Sequence, residues 1–328
     1  MATENRSGDG QAPVFPGDAL ELARFDQPTG DGTTFVVVSD PHLTPTDHGT
    51  LKMYHRTKQR FQMAVADAHR LDVDGFIVAG DLTKAGRESE IALAEELLRI
   101  APRPTVVVPG NHDIAPRGFP NGDVFADWRG DDAYPQSRSV DSVTVHTVDT
   151  TVRPDATGGA VDPQTLCELG AQTSSGPQIA VMHHPLSAIP TPFRSELADV
   201  DYRVENPAAT ADSLVESGVD LAVTGHLHWP YATEFRGLNV VCAPSCASFP
   251  PAYLLVHVGP NGTTVSLVPL AGASGLKEAY QYAIQDEQRG SLIETAVSNG
   301  YFGAFPLVDQ QAVGRTEAPT RQSADLSG

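Results

Sequence analysis

Five short stretches of this chain carry side chains able to hold metal ions: Asp40-Pro41-His42, Gly80-Asp81, Gly110-Asn111-His112-Asp113, His183-His184-Pro185 and Gly225-His226-Leu227-His228. A lone His-x-His pair says little, because two surface histidines share that spacing. Here each stretch follows an apolar run, at residues 34–39, 75–79, 105–108, 178–182 and 219–223. Imidazole nitrogens mixed with carboxylate and amide oxygens suit Mn, Fe, Zn or Co, and suit Mg or Ca alone poorly. Seven ligands, one of them shared, are the number two adjacent ions need. A shared carboxylate is the natural bridge, since its charge offsets the repulsion of cations about 3.5–4 Å apart.

Such residues work only if the backbone brings them together. The β-branched and apolar runs read as buried strands, and residues 54–71 and 88–100 between the first three read as helices, with Phe61, Val65 and Ala68 on one face of the first. Strand–helix–strand–helix–strand with short connections predicts parallel pairing with helices over the sheet. Open α/β sheets bind ligands beyond the carboxyl ends of their strands, where all five stretches fall. Further on, 142–148 reads as a half-buried strand with His146 on its polar face, 207–217 as a helix, 239–243 as a strand and 253–268 as a hairpin. A single helix is predicted over 276–298, followed by an aromatic patch (Tyr301, Phe302, Phe305) and a polar tail from about 311.

Residues 1–30 read as an irregular arm, 31–270 as one catalytic domain and 271–328 as a helical extension and tail. The extension is either a dimerisation element, giving a homodimer, or packs back on the domain. The long loop 114–138, with Phe119, Phe125, Trp128 and Tyr134, is expected to form a lid or pocket wall. The loop 186–204 carries no readable code.

The chain has 328 residues, 41 acidic and 22 basic, for a formal net charge of −19. Only four basic residues are lysines: Lys52, Lys58, Lys84 and Lys277. That surface disfavours nucleic acid and anionic membranes as partners. It serves either simple solubility or a high-salt cytoplasm, where the Debye length is about 3 Å at 1 M salt. Three cysteines without paired spacing argue against a disulfide framework and for a reducing, cytoplasmic location. No apolar run reaches the length of a spanning helix, and the polar N-terminus does not read as a secretory signal.

The ordered set DxH (Asp40, His42), GD (Asp81), GNHD (110–113), HHP (183–185) and GHxH (225–228) resembles the calcineurin-like metallophosphoesterase superfamily over roughly residues 34–250. The HHP form and the spacing look most similar to its cyclic-nucleotide and glycerophosphodiester phosphodiesterase branch. The resemblance implies an α/β fold, a four-layer α-β-β-α sandwich of two mixed sheets flanked by helices. It implies one metal on Asp40, His42 and His228, another on Asn111, His183 and His226, and Asp81 bridging both. His112 would be catalytic, stabilising or protonating the leaving oxygen. Asp113 would orient that imidazole or be a solvated loop acid. His184 would line the pocket, or exchange roles with His183. The implied reaction is attack on phosphorus by a metal-bridging hydroxide, most suitably on a small-molecule phosphodiester. A phosphomonoesterase, a DNA repair nuclease and a non-catalytic scaffold are the alternatives. Lys84 would approach the phosphate or stay on the surface; Trp229 would stack on substrate or simply pack. Cys242 and Cys246 would be buried small residues or metal-sensitive thiols near the site rim.

Overall fold

A computed structural model describes residues 19–49, 51–114, 135–151, 158–171, 176–190 and 202–311. The chain begins with β1 (Leu20–Phe25), β2 (Thr33–Val38), α1 (Tyr54–Arg70), β3 (Gly75–Ala79), α2 (Glu88–Arg99) and β4 (Thr105–Val108). β2, β3 and β4 pair in parallel, as the βαβαβ pattern predicts. β5 (Gln136–Val140), β6 (Val143–Val148), α3 (Pro163–Ala171), β7 (Gln178–Met182), α4 (Pro207–Glu216) and β8 (Leu221–Thr224) follow. Then come β9 (Tyr231–Phe235), β10 (Leu238–Cys242), β11 (Ala252–Gly259), β12 (Gly262–Pro269), α5 (Gly272–Ala283), α6 (Gly290–Ser298) and β13 (Val308–Asp309). One sheet has the order β13-β1-β12-β11-β2-β3-β4 and the other β5-β6-β7-β8-β10-β9.

The four-layer sandwich follows from which face each side chain takes. Along β2, Phe35 and Val37 enter the core between the sheets, where they meet Val145, Ile179, Val181 and Val223 of the second sheet. Val36 and Val38, on the opposite face, pack under Phe61 and Val65 of α1 and Leu97 of α2. A strand covered on both sides loses the polar alternation, which is why this run reads as continuously apolar. Leu169 of α3 and Leu214 of α4 cover the outer face of the second sheet through Ala180, Met182 and Ala222. Both sheets are mixed, with antiparallel strands at or towards their edges.

Several expectations need correction. The arm read as irregular contains β1, which pairs with β12 and β13. β5 begins inside the stretch read as a loop to residue 138 and runs past its end, while 115–134, with the four lid aromatics, fall outside the described residues, as do 191–201 and 312–328. The single helix predicted over 276–298 is two helices, α5 and α6. Asp286 Oδ1 accepts hydrogen bonds from the backbone N–H groups of Gln288 and Arg289, at 3.1 and 2.8 Å, and so turns the chain before α6. His146 is buried, not on a polar face; its ring nitrogens contact Ser137 Oγ and Gln178 Oε1 at 2.8 and 2.7 Å, away from the other histidines.

The extension packs back on its own domain. Leu276, Tyr280, Ile293 and Tyr301 form one apolar cluster with Trp229 and Phe249, so Trp229 is a packing residue at the border of the site. Tyr301 Oη donates to the Pro230 carbonyl at 2.6 Å. Tyr301→Phe leaves that buried carbonyl without this donor and should cost about 1–3 kcal/mol. A lower denaturation midpoint with an unchanged m-value checks it. Among the described residues no helix is long and apolar enough to cross a membrane.

Candidate metal centre

The carboxyl ends of β2, β3 and β4 from one sheet face those of β7 and β8 from the other. Their loops deliver Asp40 and His42, Asp81, Asn111, His183, and His226 and His228 to one place. Asp40, His42, Asp81, His226 and His228 all have positive φ, between 44° and 69°. Residues other than glycine rarely adopt that backbone, and such strain collects where function over-determines geometry. The motif glycines make room. A Cβ at Gly110 would collide with the Asp81 carboxylate, and one at Gly225 with Ser39 Oγ and Asp40 Oδ2.

Two groups of donor atoms result. In the first, His42 Nε2 and His228 Nε2 lie 3.1 Å apart, with Asp40 Oδ1 at 3.1 Å from His228 Nε2 and Asp81 Oδ2 at 3.6 Å from His42 Nε2. In the second, His183 Nε2 lies 3.1 Å from His226 Nδ1, 3.3 Å from Asn111 Oδ1 and 3.4 Å from Asp81 Oδ1. Ligands about 2.1 Å from one ion stand roughly 3.0–3.4 Å from each other, so both groups have the spacing of a coordination shell. Of the two histidines of the GHLH stretch, His226 joins one group and His228 the other.

The surroundings fix which atoms are bare. Asp40 Oδ2 accepts from Ser39 Oγ (2.5 Å) and from the His226 N–H (2.9 Å), while Oδ1 is buried and has no hydrogen-bond partner. His183 Nδ1 donates to the Ala79 carbonyl at 2.9 Å, which leaves Nε2 as a lone pair when the ring is neutral. His228 Nδ1 pairs with Ser248 Oγ at 2.9 Å. Such outer partners set the tautomer and orientation of metal-binding histidines. Without a cation, lone pairs would face lone pairs in a buried site, which is costly. The donor set fits a pair of transition-metal ions.

Charge states agree. Burial pushes His42 and His226 well below the usual imidazole value, and His228 down to about 4 despite Asp40. Burial opposes charge on Asp81, but His183 and His112 outweigh it and hold its carboxyl well below the usual range. For His183, burial is outweighed by Asp81 and Asp40, which raise it to about 9. A proton there is a positive charge at a place that attracts cations.

His184 also packs here. Its Nδ1 meets Thr150 Oγ1 at 2.7 Å, its buried Nε2 has no partner, and its ring centroid is 4.5 Å from that of His226. His183, His184 and His226 offer three donor atoms within 4.8 Å of one another. Only His183 of the adjacent pair also contacts Asp81 and Asn111. Burial, then His183, pushes the His184 imidazole down to about 3.

His112 stands at the edge of the groups, half-buried, its ring centroid 4.6 Å from that of His42. Its N–H donates to Asp81 Oδ1 at 2.9 Å, and its Nδ1 to the Lys84 carbonyl at 2.6 Å. The expected role of Asp113 is corrected. It is neither solvated nor the partner of His112, but buried, accepting from the N–H groups of Leu82, Thr83 and Gly110 and from Thr83 Oγ1 at 2.7–3.1 Å. It ties the Asp81 loop to the Asn111 loop. Burial, then the neighbouring Asp81, pushes its carboxyl up to about 7. Lys84 pairs with Asp47 Oδ2 at 2.5 Å over the Tyr54 ring. Cys242 and Cys246 are buried, and burial pushes their thiols up, Cys246 to about 12, so they are packing residues.

A polar cavity of about 730 Å³, including its open mouth, lies over Asp81, Asn111, His112, His226 and His228. Its rim holds residues that the motifs do not reveal: Lys52, Tyr202 and, from the turn between α5 and α6, Asp286 and Arg289. The polar run ending in Arg289-Gly290, inside a stretch of helical period, is the signal that the helix breaks there.

The chain is similar to several solved structures, of which the first supports the fold. A dimetal phosphatase from Danio rerio is 16% identical, with 73% of this chain and 99% of that chain covered and a TM-score of 0.53. A purple acid phosphatase from yellow lupin is 13% identical over 77% and 52%, with a TM-score of 0.49. Phosphopantetheinyl hydrolase from Mycobacterium tuberculosis is 18% identical over 66% and 91%, with a TM-score of 0.41. No curated protein matches the chain. The sequence profile described as calcineurin-like phosphoesterase matches residues 33–230, from β2 through both histidines of the GHLH stretch. That span is more than half of the chain and contains every residue of both donor groups, so the protein belongs to the calcineurin-like phosphoesterases.

Proposed function

We propose that the protein is a dinuclear-metal phosphodiesterase acting on small organic diesters. One ion would sit on Asp40, His42, Asp81 and His228, the other on Asp81, Asn111, His183 and His226. The observation that carries the reading is Asp81, whose two oxygens each face a different donor group. We assign His183 rather than His184 because a bridging carboxylate needs partners that touch it, and His183 does. Bound ions would supply Lewis acidity and a nucleophile usable near neutral pH. Mn, Fe, Zn or Co suits this mixed nitrogen and oxygen set.

The chain's own residues do the rest. Asn111 and His112, on one tight turn beyond β4, face the cavity where the phosphoryl group would lie. His112, held through Nδ1 on the Lys84 carbonyl, presents Nε2 to that cavity. From there it would stabilise the leaving oxygen and deliver a proton to it. Asp113 takes no part in the proton transfer; it holds the loops that carry Asp81 and His112 in register.

A diester is favoured over a monoester by a second compartment. An apolar recess lined by Leu51, Leu227, Trp229, Phe249 and Ile293 opens beside the polar cavity and shares Leu51, His228 and Arg289 with it. The recess gives apolar side chains against which part of a second ester arm would pack, a contact that a monoester would not need. With added Mn, bis(p-nitrophenyl) phosphate should be turned over with a higher kcat/KM than p-nitrophenyl phosphate. The opposite preference would replace the diester by a monoester while keeping the metal site. Gly110→Ala, which pushes a methyl group onto the Asp81 carboxylate, should weaken metal binding by about 10–100-fold, measured by metal titration. The acidic surface and free cysteines support a reducing, high-salt cytoplasm. Activity in molar KCl should then equal or exceed that in dilute buffer, and a sharp loss would contradict it.

A further inference from the structure

Lys52 and Arg289 face the polar cavity from opposite sides of the chain, one from the segment before α1, the other from the turn between α5 and α6. Arg289 lies beyond the family match, which ends at 230, so it belongs to what this chain adds to the shared fold. Arg24, Arg56, Arg87, Arg236, Lys58 and Lys84 all pair with carboxylates. Lys52 and Arg289 have no ion pair within 4 Å among the described residues. In a chain with 41 acidic and 22 basic residues, two half-buried cations without a carboxylate partner on one cavity are conspicuous. Burial holds the Lys52 ammonium below its ordinary value, Asp81 and Asp40 pull it up, and Arg289 pushes it down. Arg289 is placed by its backbone N–H on Asp286 and by its guanidinium 5.9 Å from the Tyr202 ring centroid. Asp286 also lines the cavity, but its Oδ1 is engaged in the turn.

We infer that Lys52 and Arg289 form an anion subsite beside the metal centre, selecting phosphoesters that carry a second anionic group. This rests on the phosphoesterase reading and deepens it. The reacting phosphoryl group would have the bound ions and His112 to offset its charge, and Asp40 and Asp81 would remove only part of what the ions bring. Two further cations therefore leave positive charge that a singly charged diester does not use. A carboxylate or second phosphate on one arm of the substrate does, through charge-assisted hydrogen bonds.

The test is calorimetric titration of the metal-loaded protein with two non-hydrolysable ligands, benzylphosphonate and 4-carboxybenzylphosphonate, which differ in one carboxylate. The carboxylated ligand should bind about tenfold tighter or better. That advantage should fall to about threefold or less in Arg289→Ala and in Lys52→Met, and part of it should survive in Arg289→Lys. Equal affinity in the unaltered protein overturns the inference, as does an advantage unchanged in either variant. An equal loss of both ligands in the variants also overturns it, because the cations would then grip the phosphoryl group itself. Failure of the hydrolase reading would look different: discrimination between the phosphonates intact, with no turnover of either chromogenic ester.

Discussion

Asp81→Ala should bind fewer than about one metal ion per chain and lose phosphoester hydrolysis by at least roughly a thousandfold. The size of the effect follows from position. Asp81 Oδ2 faces His42, and Oδ1 faces His183 and accepts the His112 N–H. Removing the carboxylate takes one donor from each group, removes the charge that lets two cations lie side by side, and frees the loop carrying His112. Asp81→Asn keeps shape and two acceptor lone pairs but not the charge, and should fall between. Folding is the control. In the metal-free protein Asp81 is a buried carboxylate close to Asp40 and Asp113. His183 and the His112 N–H more than offset that repulsion in the metal-free parent, so the metal-free variant should melt lower but still fold cooperatively, and loss of the folded state would mean that Asp81 is structural.

His112→Ala should leave both ions bound and lower kcat by about 10²–10⁴. Its Nδ1 is committed to the Lys84 carbonyl and its backbone N–H to Asp81, so the ring is held at the cavity that it lines. No contact puts it in either donor group, and its loss should not change metal content. Dependence on the leaving group makes the assignment sharp. A p-nitrophenolate leaves without much help, whereas an alkoxide needs the proton, so the loss should be several-fold larger for an alkyl ester than for its p-nitrophenyl counterpart. Equal losses would assign His112 to electrostatic stabilisation alone, and a lost metal ion would make it a ligand.

Much of this site is legible in the amino-acid sequence because its residues sit where apolar runs stop. A strand buried on both faces is a continuous apolar run, and the residue that follows must be at a sheet end. That rule places Asp81 after Ala79 and His183 after Met182 without reference to tertiary contacts. It fails where orientation depends on partners distant in sequence. The spacing of His226 and His228 alone does not say which group each joins; His183 beside the one and Asp40 and His42 beside the other, all distant in sequence, decide it. Asp113 looks like an orienting acid because it adjoins His112, yet Leu82, Thr83 and Gly110 claim its carboxylate. Lys52 and Arg289, more than 230 positions apart, share no local pattern. Only the packing of α5 and α6 against Trp229 and Phe249 brings them to one cavity. β1 escapes a local reading because the flanking Gly, Pro and Asp residues dominate its short run, and its pairing with β12 is a long-range event.

The most direct test is the number of ions each donor group holds. Mn-loaded protein, passed through a desalting column and analysed by mass spectrometry for metal, should contain two ions per chain. His228→Ala and His226→Ala should each retain about one, and the double variant close to none, because the two residues belong to different groups. A single ion in the unaltered chain, or one that both single variants lose, would contradict two centres sharing Asp81.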